Sequence, residues 1–166
     1  MLKKVEEEKL FNFLYSHARN IQKCLQLTHY RLFFDDTSRK KCAIKNAAMT
    51  INVDFQYLEA DISVKESIKD CWKLKDYNVI INTLIHEICH ILIDELYGCY
   101  EDEVKRNEKK GVKLDYDSGN FYRERTTEHI SRWGARLYQD FMDINNINLK
   151  TGKCIPISKK KKSLKV

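Results

Sequence analysis

The sequence predicts an α+β domain with an N-terminal helix, a small three-stranded sheet and two long helices after it. Two changes of hydrophobic period carry that reading. Apolar residues first recur at helical spacing, then alternate one by one over roughly residues 29–64, and then return to helical spacing in two long stretches. A third observation places the chemistry. The first long helical stretch, "NVIINTLIHEICHILIDELYG" (78–98), is almost wholly aliphatic. Yet it carries His86, Glu87 and His90 in its middle.

In the first helix, Leu10, Leu14, His17, Ile21, Cys24 and Leu25 fall on one face over residues 5–25. "HYRLFFDD" (29–36) is strand-like. "AAMTINVDF" (47–55) alternates through Met49, Ile51, Val53 and Phe55, and "YLEADISV" (57–64) through Leu58, Ala60, Ile62 and Val64. The short gap between these last two predicts a hairpin. A charged linker containing Trp72 follows. Asp76 or Asn78 caps the next helix, which is expected to reach about Tyr97. Residues 98–120 read as a charged, exposed loop excursion. Ser118 or Asn120 caps a last helix over 121–144, with Ile130, Trp133, Leu137, Phe141 and Ile144 as its apolar stripe. Residues 1–148 thus form one domain, and 149–166 a basic, disordered tail.

The 166 residues suffice for one domain with a core of its own. The formal charge of +6 is a property of the tail. From Lys150 onward there are seven Lys and no acid, so the first 149 residues sum to 6 − 7 = −1. The body therefore offers no charge argument for nucleic acid, whose only expected contact is the Lys-rich tail, notably Lys159–Lys162. The six cysteines form no C-x-x-C pair, and the N-terminus lacks the apolar core of a signal peptide. The longest apolar run is interrupted by Asn82, His86, Glu87 and His90, which excludes a membrane span. A monomer in a reducing cytoplasm is expected, with Cys89 a buried, inert thiol.

His86 and His90 are four apart, so on a helix they project from one face and can ligate one Zn²⁺. Glu87 lies beside that face. There it can serve as the general base that takes a proton from zinc-bound water. This is the H-E-x-x-H spacing of zinc peptidases, and chance supplies on the order of 0.01 matches in a chain of this kind. Burying three polar side chains in an aliphatic helix is costly unless each has a partner. A third ligand is required. The metzincin continuation is absent, and Asp94, a turn beyond His90, reads as a salt-bridge residue or a support for a ligand histidine, as does Asp140. The candidates lie in the last helix: Glu124, Glu128 and His129. Periodicity alone does not choose between Glu128 and His129. Tyr97, Tyr122 and His129 are candidate oxyanion donors.

"TLIHEICHIL" together with "TEHISRWGARLY" resembles the compact zincin-like metallopeptidases of the ImmA/IrrE type, which are widespread in phages and mobile elements. The resemblance spans roughly residues 29–142. In that family a helix of pattern E-x-x-[AN]-x-[FW]-A follows the motif helix and supplies the third ligand. Glu128 falls on that Glu, Arg132 on a frequently basic position, Trp133 on the aromatic and Gly134-Ala135 on the small pair. The resemblance implies a minimal zincin-like fold in which zinc is held by His86, His90 and Glu128, with Glu87 catalytic and a cytosolic protein or peptide as substrate. It also implies a sheet edge along the cleft, here expected to be strand 57–64. The chain departs from the family in its 98–120 insertion and in lacking a helix-turn-helix domain. With His129 as ligand, the comparison moves to SprT-like, nucleic-acid-associated proteases. A zinc-stabilised binding module without catalysis is the reading from another class, and Glu87 argues against it.

Overall fold

The computed structural model describes residues 2–36, 47–108 and 116–156, with the backbone alone over 95–108 and 116–122. It is mixed α+β, with four helices and a three-stranded sheet: α1 (Lys4–Cys24), β1 (Arg31–Asp36), β2 (Met49–Asp54), β3 (Glu59–Val64), α2 (Glu66–Lys73), α3 (Tyr77–Glu108) and α4 (Tyr116–Ile144). The first helix is amphipathic as its spacing demands, burying Leu10, Phe13, Leu14, His17, Ala18 and Ile21.

The predicted hairpin joins β2 and β3, which pair antiparallel with Met49 opposite Val64 and Asp54 opposite Glu59. Its turn is held by the Asp54 carboxylate, which accepts from the backbone N–H of Gln56 (3.0 Å) and Tyr57 (3.1 Å). β1 pairs with β3 on the other side and runs parallel to it, giving the order β1-β3-β2. This corrects the expectation that strand 57–64 is the sheet edge. β3 is the central strand, and its Ala60, Ile62 and Val64 are buried. β2 is an edge, and it is the strand against which α3 packs.

Three further expectations change. The charged linker around Trp72 contains a short helix, α2, because Ile68 and the stem of Lys69 have a core to enter. The expected loop at 98–120 is helical over 98–108, where α3 continues, and over 116–120, where α4 has already begun. α4 therefore starts ahead of both Ser118 and Asn120. Long runs of Glu, Lys and Arg are good helix formers, so charge density is a poor sign of a loop. Residues 149–156, assigned to the tail, fold back through an isolated bridge between Ile147 and Cys154 and meet α1 at His17 and Asn20. The Lys159–Lys162 run lies outside the described residues.

Two buried polar devices tie these elements together. Lys69 is almost fully buried, and its ammonium reaches Glu7 of α1 (2.7 Å) and Asp36 of β1 (2.8 Å). Burial works against its charge, but the hydrogen bonds to Asp36 and Glu7 outweigh this and raise its pKa. His17, fully buried, lies between Tyr138 of α4 and the returning C-terminal segment. Its Nε2–H donates to the Leu149 carbonyl (3.0 Å), which leaves Nδ1 to accept from the Tyr138 hydroxyl (2.7 Å).

Burial holds His17 down to about 4 from a usual 6.5. The unfolded chain therefore takes up this proton before the folded one does. The neutral ring's contribution is complete above pH 6.5 and is lost as pH falls toward 4, by about 3 kcal/mol in all. Urea unfolding of the wild type between pH 7 and 4 should show this slope. The slope should be shallower by close to one proton in His17→Gln, and equal slopes would rule the assignment out.

Candidate metal centre

The site lies where α3 crosses α4. Asp76 caps α3 by accepting from the Val79 N–H (3.4 Å), and the aliphatic face of Ile80, Leu84, Ile88 and Ile91 is buried in the core. That packing turns His86 and His90 the same way, with ring centroids 5.0 Å apart. Glu124 of α4 faces both. Its carboxylate oxygens lie 3.7 Å from His86 Nε2 and 3.6 Å from His90 Nε2. These distances are too long for hydrogen bonds. One potential ligand atom from each of the three residues lies within 4.8 Å of the other two.

The second nitrogen of His90 is accounted for. The Thr127 hydroxyl donates to the Arg123 carbonyl (3.0 Å), so toward His90 Nδ1 (3.3 Å) it acts as acceptor. That places the His90 proton on Nδ1 and leaves the Nε2 lone pair facing Glu124. Asp94 Oδ1, 3.8 Å from the same Nδ1, is clamped by Arg123 through two 2.5 Å bonds. Burial works to raise the Asp94 pKa, but His90 and Arg123 together hold it below its usual value. Asp94 is thus the salt-bridge residue expected from its position. Asp140 is exposed and acts electrostatically on Cys24 rather than on the site.

Burial, and then the neighbouring His90, hold the His86 pKa below its usual value, against the opposing pull of Glu124 and Glu128. Glu87 is 7% exposed. Burial pushes its carboxyl up to about 7, with Glu124 adding to the rise, while His90 and a hydrogen bond from the Ile51 N–H of β2 oppose it. A cleft of about 380 Å³ opens over this group, lined by His86, Glu124, Arg125 and Glu128.

No family model matches the chain, nor does any curated protein or solved structure. The site therefore stands on its own geometry.

Among the described residues, the carboxylate that faces both imidazoles is that of Glu124 and not that of Glu128. Glu128 remains on the rim of the cleft, with its carboxylate taken by Arg132 at 2.5 Å. His129 is exposed and belongs to no metal-capable group among the described residues. The cause is the face that α4 turns inward. Of the expected apolar stripe, Ile130, Leu137 and Phe141 are half-buried, while Trp133 is 61% and Ile144 83% exposed. The buried face is Thr127, Ser131, Gly134, Tyr138 and Met142. At 100° per residue, Glu124 lies about 60° from Thr127 on the helical wheel and Glu128 about 100°. Glu124 is therefore the one beside the contact.

Small residues at that face bring the helices close. A Cβ on Gly134 would sit 3.3 Å from Ile85 Cγ2 and 3.5 Å from Cys89 Sγ. Cys89 is fully buried there, and burial pushes its thiol up to about 12, as expected of an inert packing residue. Thr127, Arg123 and Arg125 were not identified from the sequence as site residues. The available signal was the Thr127/Ser131/Gly134 spacing, a run of small residues at helical period. The side chains of Tyr97 and Tyr122 lie outside those described.

Gly134→Leu should force α4 away from α3. We expect a loss of about 2–3 kcal/mol in unfolding free energy from overpacking, together with weakened zinc uptake, since Glu124 and Thr127 move with the helix. Thr127→Val should leave stability nearly unchanged but lower metal affinity about 10–100-fold by releasing His90. Denaturant titration and competition with a zinc chelator measure the two effects separately.

Proposed function

We propose that the protein is a zinc-dependent metallopeptidase hydrolysing peptide bonds of a specific cytosolic protein, with His86, His90 and Glu124 holding the ion and Glu87 as general base. The observation that carries this reading is the convergence of three ligand atoms within 4.8 Å at the mouth of a cleft, beside a buried fourth polar residue. Two imidazoles and one carboxylate are a donor set that catalytic zinc uses, and they leave a coordination position open. Tetrahedral bonds of about 2.0–2.1 Å hold ligands roughly 3.3 Å apart. The Glu124 separations of 3.6 and 3.7 Å exceed that by a few tenths of an ångström, and its side chain is 58% exposed and free to adjust.

When bound there, zinc supplies Lewis acidity toward a water and toward a substrate carbonyl. Thr127 keeps the His90 ring oriented with Nε2 outward, and the Asp94 carboxylate lies 3.8 Å from its Nδ1. Glu87 is buried beside the two histidines, and burial pushes its carboxyl up to about 7. It is thereby suited to accept a proton from the attacking water and return it to the leaving nitrogen. Among the described residues, β2 has a partner strand on one side only, the geometry by which an extended peptide adds to a sheet. The likeness of the motif helix to the ImmA/IrrE-type zincins supports the same reading. No described helix is long and apolar enough to cross a membrane.

The test is zinc per chain by elemental analysis on untagged protein. The wild type should carry close to one zinc. His86→Ala and Glu124→Gln should lose it, while Glu128→Gln and His129→Ala should keep it. A folded wild type that takes up no added zinc would sink the proposal. Loss with Glu128→Gln alone would return the third position to that residue. Glu87→Gln should retain zinc while abolishing cleavage of a proteome-derived peptide library read by mass spectrometry, with kcat/KM down at least about 10²-fold. Zinc bound by a wild type that cleaves nothing in such a library would favour a binding module instead.

A further inference from the structure

We propose that a second groove, on α1 and apart from the metal cleft, binds the phosphodiester backbone of a nucleic acid. The groove encloses about 670 Å³ and is lined by Asn12, Ser16, Arg19, Asn20 and Lys23 of α1, with Lys153 from the returning C-terminal segment. It shares no lining residue with the cleft over His86.

The arrangement of charge carries the inference. Arg19 and Lys23 are four apart on one helix, a like-charge spacing that by itself disfavours the helix. A third cation, Lys153, is held on the same groove by specific structure. Asn20 Nδ2 donates to the Gly152 carbonyl (2.7 Å), and the Asn148 N–H donates to the Lys153 carbonyl (2.8 Å). Gly152 adopts φ +63°, and a Cβ there would fall 2.7 Å from Ser16 Oγ. The segment is therefore seated directly on α1, and Lys153 is held at the groove by its backbone. No carboxylate among the described residues lines the groove. Among the described residues, none of the three cations makes an ion pair.

Three positive side chains lining one groove repel one another unless an anion joins them. Arg and Lys with Asn and Ser donors are the side chains that contact phosphates and carry no base specificity. The volume exceeds that of one phosphate group, and beyond Pro156 the sequence continues with five lysines and no acid. Both features favour a polymer over a single small anion. The near-neutral body thus conceals a local basic surface, and nucleic-acid contact is not confined to the Lys-rich tail.

The test is fluorescence anisotropy of the full chain with a labelled single-stranded DNA of about 20 nucleotides, and with its duplex, across a salt series. Wild-type affinity should fall steeply with salt for at least one of the two. The triple variant Arg19→Gln, Lys23→Gln, Lys153→Gln should bind at least about tenfold more weakly and lose roughly 2–3 from the slope of log K against log salt, one phosphate contact per residue. A control with the same charge change, Lys3→Gln, Lys4→Gln, Arg136→Gln, should bind within about twofold of the wild type. Equal losses in both variants, or none in the triple, would overturn the proposal. Displacement of the DNA by millimolar inorganic phosphate would instead indicate a small-anion site, and displacement by polyglutamate as effectively as by unlabelled DNA would indicate an acidic protein partner. Circular dichroism and zinc content check that the triple variant is folded. Should it not be, Lys23→Gln and Lys153→Gln singly are read for a slope change of about 0.7–0.9 each.

Discussion

Everything at the candidate site depends on how closely α4 approaches α3. Gly134 lets the backbone of α4 settle onto Ile85 and Cys89, and there is no room for a side chain without displacement. That contact fixes the rotation of α4 about its own axis. The rotation in turn puts Thr127 against His90, Arg123 against Asp94 and Glu124 across from both imidazoles. A rotation that instead buried Trp133 and Ile144 would scatter all three pairings. The helix crossing is the device that assembles the site, and the aliphatic core beneath α3 is what holds its histidines in place.

The polar groups at this crossing are supported in layers. His90 is nearly buried, and its Nδ1 is served by Thr127 and neighboured by Asp94, itself clamped by Arg123. Glu87 is buried, with burial as the main influence on its carboxyl. Among the described residues, His86 Nε2, His90 Nε2 and the Glu124 carboxylate face one another without a contact of hydrogen-bonding length. His90 is thus supported from behind and open toward Glu124, an arrangement that would suit a metal ligand.

The remainder of the molecule braces this crossing. Lys69 pins α2 to α1 and β1 through two carboxylates, and His17 pins α1 to α4 and to the C-terminal segment. The second of these has a consequence on the surface, because the segment that His17 and Asn20 hold is the one that carries Lys153 to the α1 groove. One buried histidine therefore links the helix bearing Glu124 to the surface where the basic residues gather.

Much of this was legible in the sequence. Helical and alternating periods placed α1, the β2–β3 hairpin and the core of α3, because burial of one face leaves a period in the residues themselves. The His86/His90 spacing and the neighbouring Glu87 were readable because they lie on one helix, where geometry follows from count. The third position was not. Choosing between Glu124 and Glu128 requires knowing which face of α4 is inward. That face is built from Thr127, Ser131 and Gly134, which carry little hydrophobic signal, while the apolar Trp133 and Ile144 lie outside. Strand order was likewise decided only in three dimensions, since alternation fixes which side of a strand is buried but not which strands flank it. Local sequence determined the elements and the two histidines. Only the packing of one helix on another, through small residues that periodicity cannot see, decided which carboxylate joins them.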